Sequence, residues 1–135
     1  MKGERLKVKG ERSKAKKIMM RFEDLEVWKR SARLSSDIYK TMKSCNDYGF
    51  KDQLTRASLS IPSNIAEGFE RASEKECIKF LSYSKGSCGE LRTQIYIGIE
   101  IDYIAADIGK RWIAEAKEIS SMIAGLMKTK RNFLE

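Results

Sequence analysis

Apolar residues recur at three- and four-residue steps along four separate stretches of this chain, the rhythm of helices that bury one face. The first stretch runs from about Asp24 to Lys43, with Leu25, Trp28, Ala32, Ile38 and Met42 on one side. Asn46-Asp47-Tyr48-Gly49 then has the composition of a turn. The second stretch, from about Phe50 to Glu70, carries Leu54, Ala57, Ile61, Ile65 and Phe69. The third begins after Ser73, where Ser73 and Glu76 form a capping box for the open backbone donors of a helix start. Its core positions are Cys77, Leu81, Ser84, Cys88, Leu91, Ile95 and Gly98, a heptad seam. The small residues Ser84, Gly86, Ser87 and Gly89 allow a neighbouring backbone to approach closely. The fourth starts near Asp107, its predicted N-cap, and shows Ile108, Trp112, Ala116, Ile119, Ile123 and Leu126. Lys128, Lys130 and Arg131 then suit its negative C-terminal end. The pattern predicts an all-α fold of four helices.

Two stretches strain this pattern. The single proline, Pro62, falls inside the second helix, where it removes a backbone hydrogen bond and crowds an earlier carbonyl, at about 3 kcal/mol. Either the helix continues through Pro62 with a kink, or Pro62 opens a second, shorter helix. Residues 95–102 alternate Ile-Tyr-Ile-Gly-Ile-Glu-Ile-Asp, which locally resembles a strand. No other segment offers such a strand a partner, so the expectation is helix. On a helix, Ile95 and Ile99 point one way while Ile97, Ile101 and Ile104 point nearly opposite. A bundle monomer buries one of these faces. The second predicts an oligomer interface at Ile97, Ile101 and Ile104.

Composition and charge narrow the function. The length of 135 residues suits one domain with its own core. No apolar run approaches a membrane span. The basic N-terminus lacks the apolar segment of a secretory signal, so the expected compartment is the cytoplasm. Cys45, Cys77 and Cys88 are odd in number and widely spaced, which argues against disulfides and against zinc. Histidine is absent altogether, which removes Ser-His-Asp, Cys-His and Glu-x-x-His chemistry. Of the net charge of +8, residues 1–21 hold nine Lys and Arg against two Glu, a net of +7. The rest holds eighteen against seventeen, a net of +1. The basic character therefore belongs to the tail over residues 1–20. That tail is expected to be disordered, a basic arm, or an upstream-start artefact ahead of Met19 and Met20.

Three motifs, Phe22-Glu23-Asp24-Leu25-Glu26-Val27-Trp28-Lys29, Ser60-Ile61-Pro62-Ser63-Asn64-Ile65-Ala66-Glu67-Gly68 and Gly86-Ser87-Cys88-Gly89-Glu90-Leu91-Arg92-Thr93-Gln94, resemble the bacterial four helix bundle family. Its members are also called 23S ribosomal RNA intervening-sequence proteins. The resemblance covers about residues 20–130. It implies an antiparallel up-down-up-down bundle, here over residues 21–133, that assembles as a homopentamer, with no enzymatic activity and no cofactor. It also implies a relation to the accessory variability determinant of diversity-generating retroelements, which binds a reverse transcriptase and nucleic acid. The motif positions carried over are Trp28, Pro62, Asn64, Glu67, Gly68, Arg71, Glu90 and Gln94. Pro62 is then a kink and Gly68 a close-packing point. Asn64, Glu67 and Arg71 share one helix face, as do Glu90 and Gln94. They form either a polar cluster at a contact or an internal network.

Three functions are weighed. One is a non-enzymatic interaction module, self-associating and offering repeated surfaces to a protein or RNA partner. The second is RNA or DNA binding through the tail and a cluster at Lys29, Arg30 and Arg33. Against it, Arg33 can pair with Asp37 at i, i+4, and the body shows no interleaved aromatic platforms. The third is an enzyme using Glu67, Glu70 and Glu74, but no complete set of catalytic or metal-binding roles assembles around them. No catalytic, metal or cofactor residues are expected.

Overall fold

The computed structural model describes residues 21–134, so the tail over residues 1–20 lies outside the described residues. After a 3-10 turn at Phe22–Asp24 come four helices: α1 (Glu26–Thr41), α2 (Tyr48–Glu70), α3 (Glu74–Glu100) and α4 (Ala106–Asn132). A second 3-10 turn, Met42–Ser44, extends α1. No strand occurs among the described residues. Short connections make successive helices antiparallel. α1 packs on α2, α2 on α3, α3 on α4, and α4 back on α1, which closes the up-down-up-down bundle.

The helix ends follow local chemistry. Asp47 caps α2, its carboxylate accepting from the Phe50 amide at 3.1 Å. The Ser73 hydroxyl oxygen caps α3, accepting from the Glu76 amide at 3.1 Å. The predicted cap at Asp107 is corrected: α4 begins one residue earlier, with Ala105 as a cap that offers no side-chain bond. Asp107 lies in the first turn, where its charge still complements the helix dipole.

Helix α2 runs unbroken through Pro62, which excludes the two-helix reading. Four side-chain donors gather on the carbonyls around it. Ser58 donates to Thr55 O at 2.7 Å, Ser60 to Ala57 O at 2.8 Å, and Asn64 to Ser60 O at 2.9 Å. Ser84 reaches across from α3 to Ile61 O at 2.8 Å. These bonds brace the helix on either side of Pro62, although none of them is accepted by Ser58 O, the carbonyl that loses its usual amide donor.

The core matches α3 in full: all seven predicted seam positions are buried. α1 is rotated from its predicted stripe. Val27, Ser31, Leu34, Ser35 and Ile38 face the core, while Trp28 and Ala32 are half-buried at its edge. The buried hydroxyls explain the rotation. Ser31 bonds Trp28 O at 3.0 Å, and Ser35 pairs with Ser58 at 3.0 Å, so both are satisfied inside.

Residues 95–102 are helical through Glu100, so the strand alternative falls. The helix then stops in a Schellman arrangement. The Tyr103 amide bonds Gly98 O at 2.9 Å and the Asp102 amide bonds Ile99 O at 3.1 Å. Asp102 sits at φ 62°, a left-handed position usually given to glycine. The chain turns back here and drops Ile104 into the core.

Candidate interaction surface

The family-motif residues make local contacts. Trp28 meets Phe22 edge-on, with ring centroids 5.3 Å apart. Gly68 marks a tight α2–α3 approach: an added Cβ would lie 3.1 Å from Cys77 O and 3.2 Å from Phe80 Cβ. Asn64 serves its own helix backbone, whereas Glu67 pairs with Arg71, whose guanidinium lies 4.6 Å from the Phe80 ring centroid. The three share a face without forming one network. Gln94 donates to Glu90 over a long 3.4 Å.

The nucleic-acid candidates divide. Arg30 forms hydrogen bonds and ion pairs with Glu115 and Glu118 on α4. The bond to Glu115, then that to Glu118, raises its pKa and holds the charge inside a clamp between helices. Arg30 lowers the pKa of Glu118 in return. The predicted Arg33–Asp37 pair is also absent. Asp37 accepts the Trp112 indole N–H at 2.7 Å, and Arg33 lies 3.9 Å from Glu26. Lys29 and Arg33 are exposed. Sequence spacing could not reveal the Arg30 clamp, because its partners lie 85 and 88 residues away.

The thiols do not form a site. Burial raises the pKa of Cys77 and pushes Cys88 up to about 11, which leaves both as unreactive packing residues. Cys45 is half-buried and apart from them.

Of the three isoleucines expected to share an outer face, two are exposed. Ile97 and Ile101, on the outer side and at the end of α3, are 49% and 44% exposed, and Tyr83 and Tyr96 of the same helix are exposed too. Ile104 is removed from that face, being only 4% exposed. Its side chain fills the space over Gly98, where an added Cβ would collide with Ile104 Cδ1 and lie 2.9 Å from Cγ1. The prediction assumed a helix continuing past residue 101, and the turn at Asp102 prevents it. Between Tyr83 and Tyr96 the helix surface is bare of side chains at Gly86 and Gly89. Nothing stands within 4 Å of a Cβ built on Gly86, and on Gly89 such an atom would meet only Arg92 Nη2 at 3.9 Å.

A groove that the periodicity did not reveal runs between α1 and α2. One part, of about 560 Å3, is lined by Phe22, Trp28, Ala32, Leu59, Pro62 and Ala66, among others. It shares Tyr39 with a second part, of about 660 Å3, lined by Lys43, Tyr48, Lys51 and Thr55. Here the aromatics interleave with lysines, and Lys51 Nζ lies 4.9 Å from the Tyr48 ring centroid. The spacings Tyr39–Lys43 and Tyr48–Lys51, one helical turn each, were the available signal.

No helix among the described residues is long and apolar enough to cross a membrane. No curated protein matches the chain. A crystal structure from Bacteroides thetaiotaomicron VPI-5482, described as a protein with unknown function from the S23 ribosomal protein family, is similar. The two share 21% identity and a TM-score of 0.71, over 76% of this chain and 98% of that one. At that identity the likeness speaks for the fold. The profile of the 23S rRNA-intervening sequence protein family matches residues 23–125, most of the chain. With its three motifs set at the start of α1, on α2 and on α3, the chain belongs to the 23S rRNA-intervening sequence protein family.

Proposed function

We propose that this chain is a non-enzymatic interaction protein of the cytoplasm that works as a homo-oligomer. The observation carrying this reading is the outer side of α3, where Tyr83, Tyr96, Ile97 and Ile101 stand exposed around Gly86 and Gly89. A glycine inside a helix costs about 1 kcal/mol relative to alanine. Inside the monomer nothing crowds these two positions, and their missing side chains would let a helix from another molecule approach closely. Such a helix would cover the isoleucines at the same time. The family resemblance sets the expected number of copies at five, and the assembled ring would offer repeated surfaces to a protein or RNA partner.

Native mass spectrometry and light scattering test the reading on the full chain. Wild type is expected as a single larger species. The Ile97→Lys/Ile101→Lys double variant is expected as a folded monomer, because both side chains are about half exposed and leave the core intact. A double variant that still assembles would show that another surface holds the copies together.

The nucleic-acid reading loses Arg30 to its clamp. What remains of it rests on the tail and on Lys29 and Arg33. Retention of RNA affinity by the chain lacking residues 1–20, steeply weakened by salt, would restore it.

A further inference from the structure

We infer that the groove between α1 and α2 is the seat into which the outer face of α3 from the next copy docks, so that the contact is head-to-tail. This rests on the self-assembly proposed above and names the surface that answers the exposed face.

Shape is the first ground. The two depressions lie end to end, with Tyr39 as their common wall, over the stretch from Phe22 to Lys43. That distance is about 30 Å along largely helical chain, matching about 30 Å from Lys79 to Glu100 along α3. Midway along the groove Leu59 stands 48% exposed on the rim, an apolar knob to set against the side-chain-free surface at Gly86 and Gly89.

Charge is the second, independent ground, and it also sets direction. Asp24 and Glu70 lie near the Trp28 end of the groove, whereas Lys40, Lys43 and Lys51 gather at the other end. Asp52 lies among the lysines but is held by Arg56 at 3.1 Å, and Lys29 runs against the order. The outer side of α3 carries Lys75 and Lys79 in its first half, with Glu76 against the order, then Glu90 and Glu100 in its second. An incoming α3 laid parallel to α1 therefore sets its lysines toward Glu70 and its glutamates toward Lys40 and Lys43. The reverse direction opposes like charges, which is costly at an interface. Because groove and face are different surfaces, every copy uses one of each. Such a heterologous contact propagates until it closes into a ring.

Two single variants of the full chain test this: Leu59→Glu blocks the groove and leaves the face, while Ile97→Lys blocks the face and leaves the groove. Each alone is expected to be monomeric with an unchanged far-ultraviolet circular dichroism spectrum. Mixed, they are expected to give a one-to-one pair and nothing larger, because only one competent groove meets one competent face. Lys43→Glu is expected to weaken wild-type assembly about tenfold, with Glu100→Lys in the same chain restoring it. Assembly of Leu59→Glu alone to the wild-type mass would overturn the inference. So would two monomeric variants that fail to pair on mixing. A monomeric wild type, by contrast, would defeat the self-assembly reading beneath it.

Discussion

The hydroxyl of Ser84 on α3 donates a 2.8 Å hydrogen bond to the carbonyl of Ile61 on α2, the residue just before Pro62. Both partners are fully buried. The bond ties the most tightly paired helices of the bundle together at the point where one of them lacks a backbone donor. It also gives Ser84 a reason to occupy a seam position that would otherwise favour an apolar residue.

Replacing that serine tests its weight. Ser84→Ala removes a buried bond while leaving the carbonyl its helical partner, so the expected loss is about 1 kcal/mol. For a domain of this size the melting temperature should fall by a few degrees. An unchanged melting curve would mean that the Pro62 segment is held by the three donors of α2 alone.

The helix stop at Asp102 predicts a gain. A non-glycine residue at φ 62° carries a local penalty that glycine does not, and the Asp102 side chain is exposed. Asp102→Gly is expected to raise stability in urea by about 0.5–1 kcal/mol, partly offset by the added freedom of the unfolded chain. A loss on substitution would show that the aspartate carboxylate contributes more than its backbone strain removes.

These positions also show what the sequence made legible. α3 could be placed in full because Cys77, Leu81, Leu91 and Ile95 are apolar and the remaining seam positions are small. The stripe of α1 shows only in part, because two of its core positions are the serines Ser31 and Ser35, whose satisfied hydroxyls bury readily. Ile104 was misplaced because the signal that ends α3 is an aspartate in a glycine's conformation, which composition does not announce. The Arg30 clamp and the α1–α2 groove depend on which helices become neighbours, and no local spacing encodes that.

Gly98 should resist change. An alanine Cβ there would collide with Ile104 and come within 3.0 Å of Phe50 Cζ, both well-packed neighbours. The gain in helix propensity is small beside the overpacking cost of about 1–3 kcal/mol. Gly98→Ala is therefore expected to lower stability, and Gly98→Ala/Ile104→Val should recover part of the loss. Recovery would place the strain at that contact, and its absence would place it at Phe50.

The thiols predict a reactivity order and an alkaline limit. Half-buried Cys45 should be alkylated in the native protein, while Cys77 and Cys88 react only as it unfolds. Cys88 rises from the ordinary 9.0 to about 11 on burial. The unfolded thiol thus loses its proton first, and the stability linked to Cys88 is complete below pH 9.0 and is lost as pH rises to about 11. Cys88→Ala should flatten this part of the pH profile, apart from its cavity cost. Rapid native labelling of Cys88 at neutral pH would contradict the burial.

Gly86 links stability to assembly and predicts opposite signs in two backgrounds. In the monomeric Ile97→Lys chain nothing crowds the position, so Gly86→Ala should add about 1 kcal/mol through helix propensity alone. In the wild-type chain the same methyl would stand on the bare surface that the proposed neighbouring copy would occupy. There the oligomer should dissociate at higher protein concentration even though each bundle has become more stable. Urea melts of the first background and concentration-dependent light scattering of the second measure the two effects separately. A stabilised chain that assembles as tightly as before would mean that the surface at Gly86 stays solvated in the oligomer, with the isoleucines making the contact on their own.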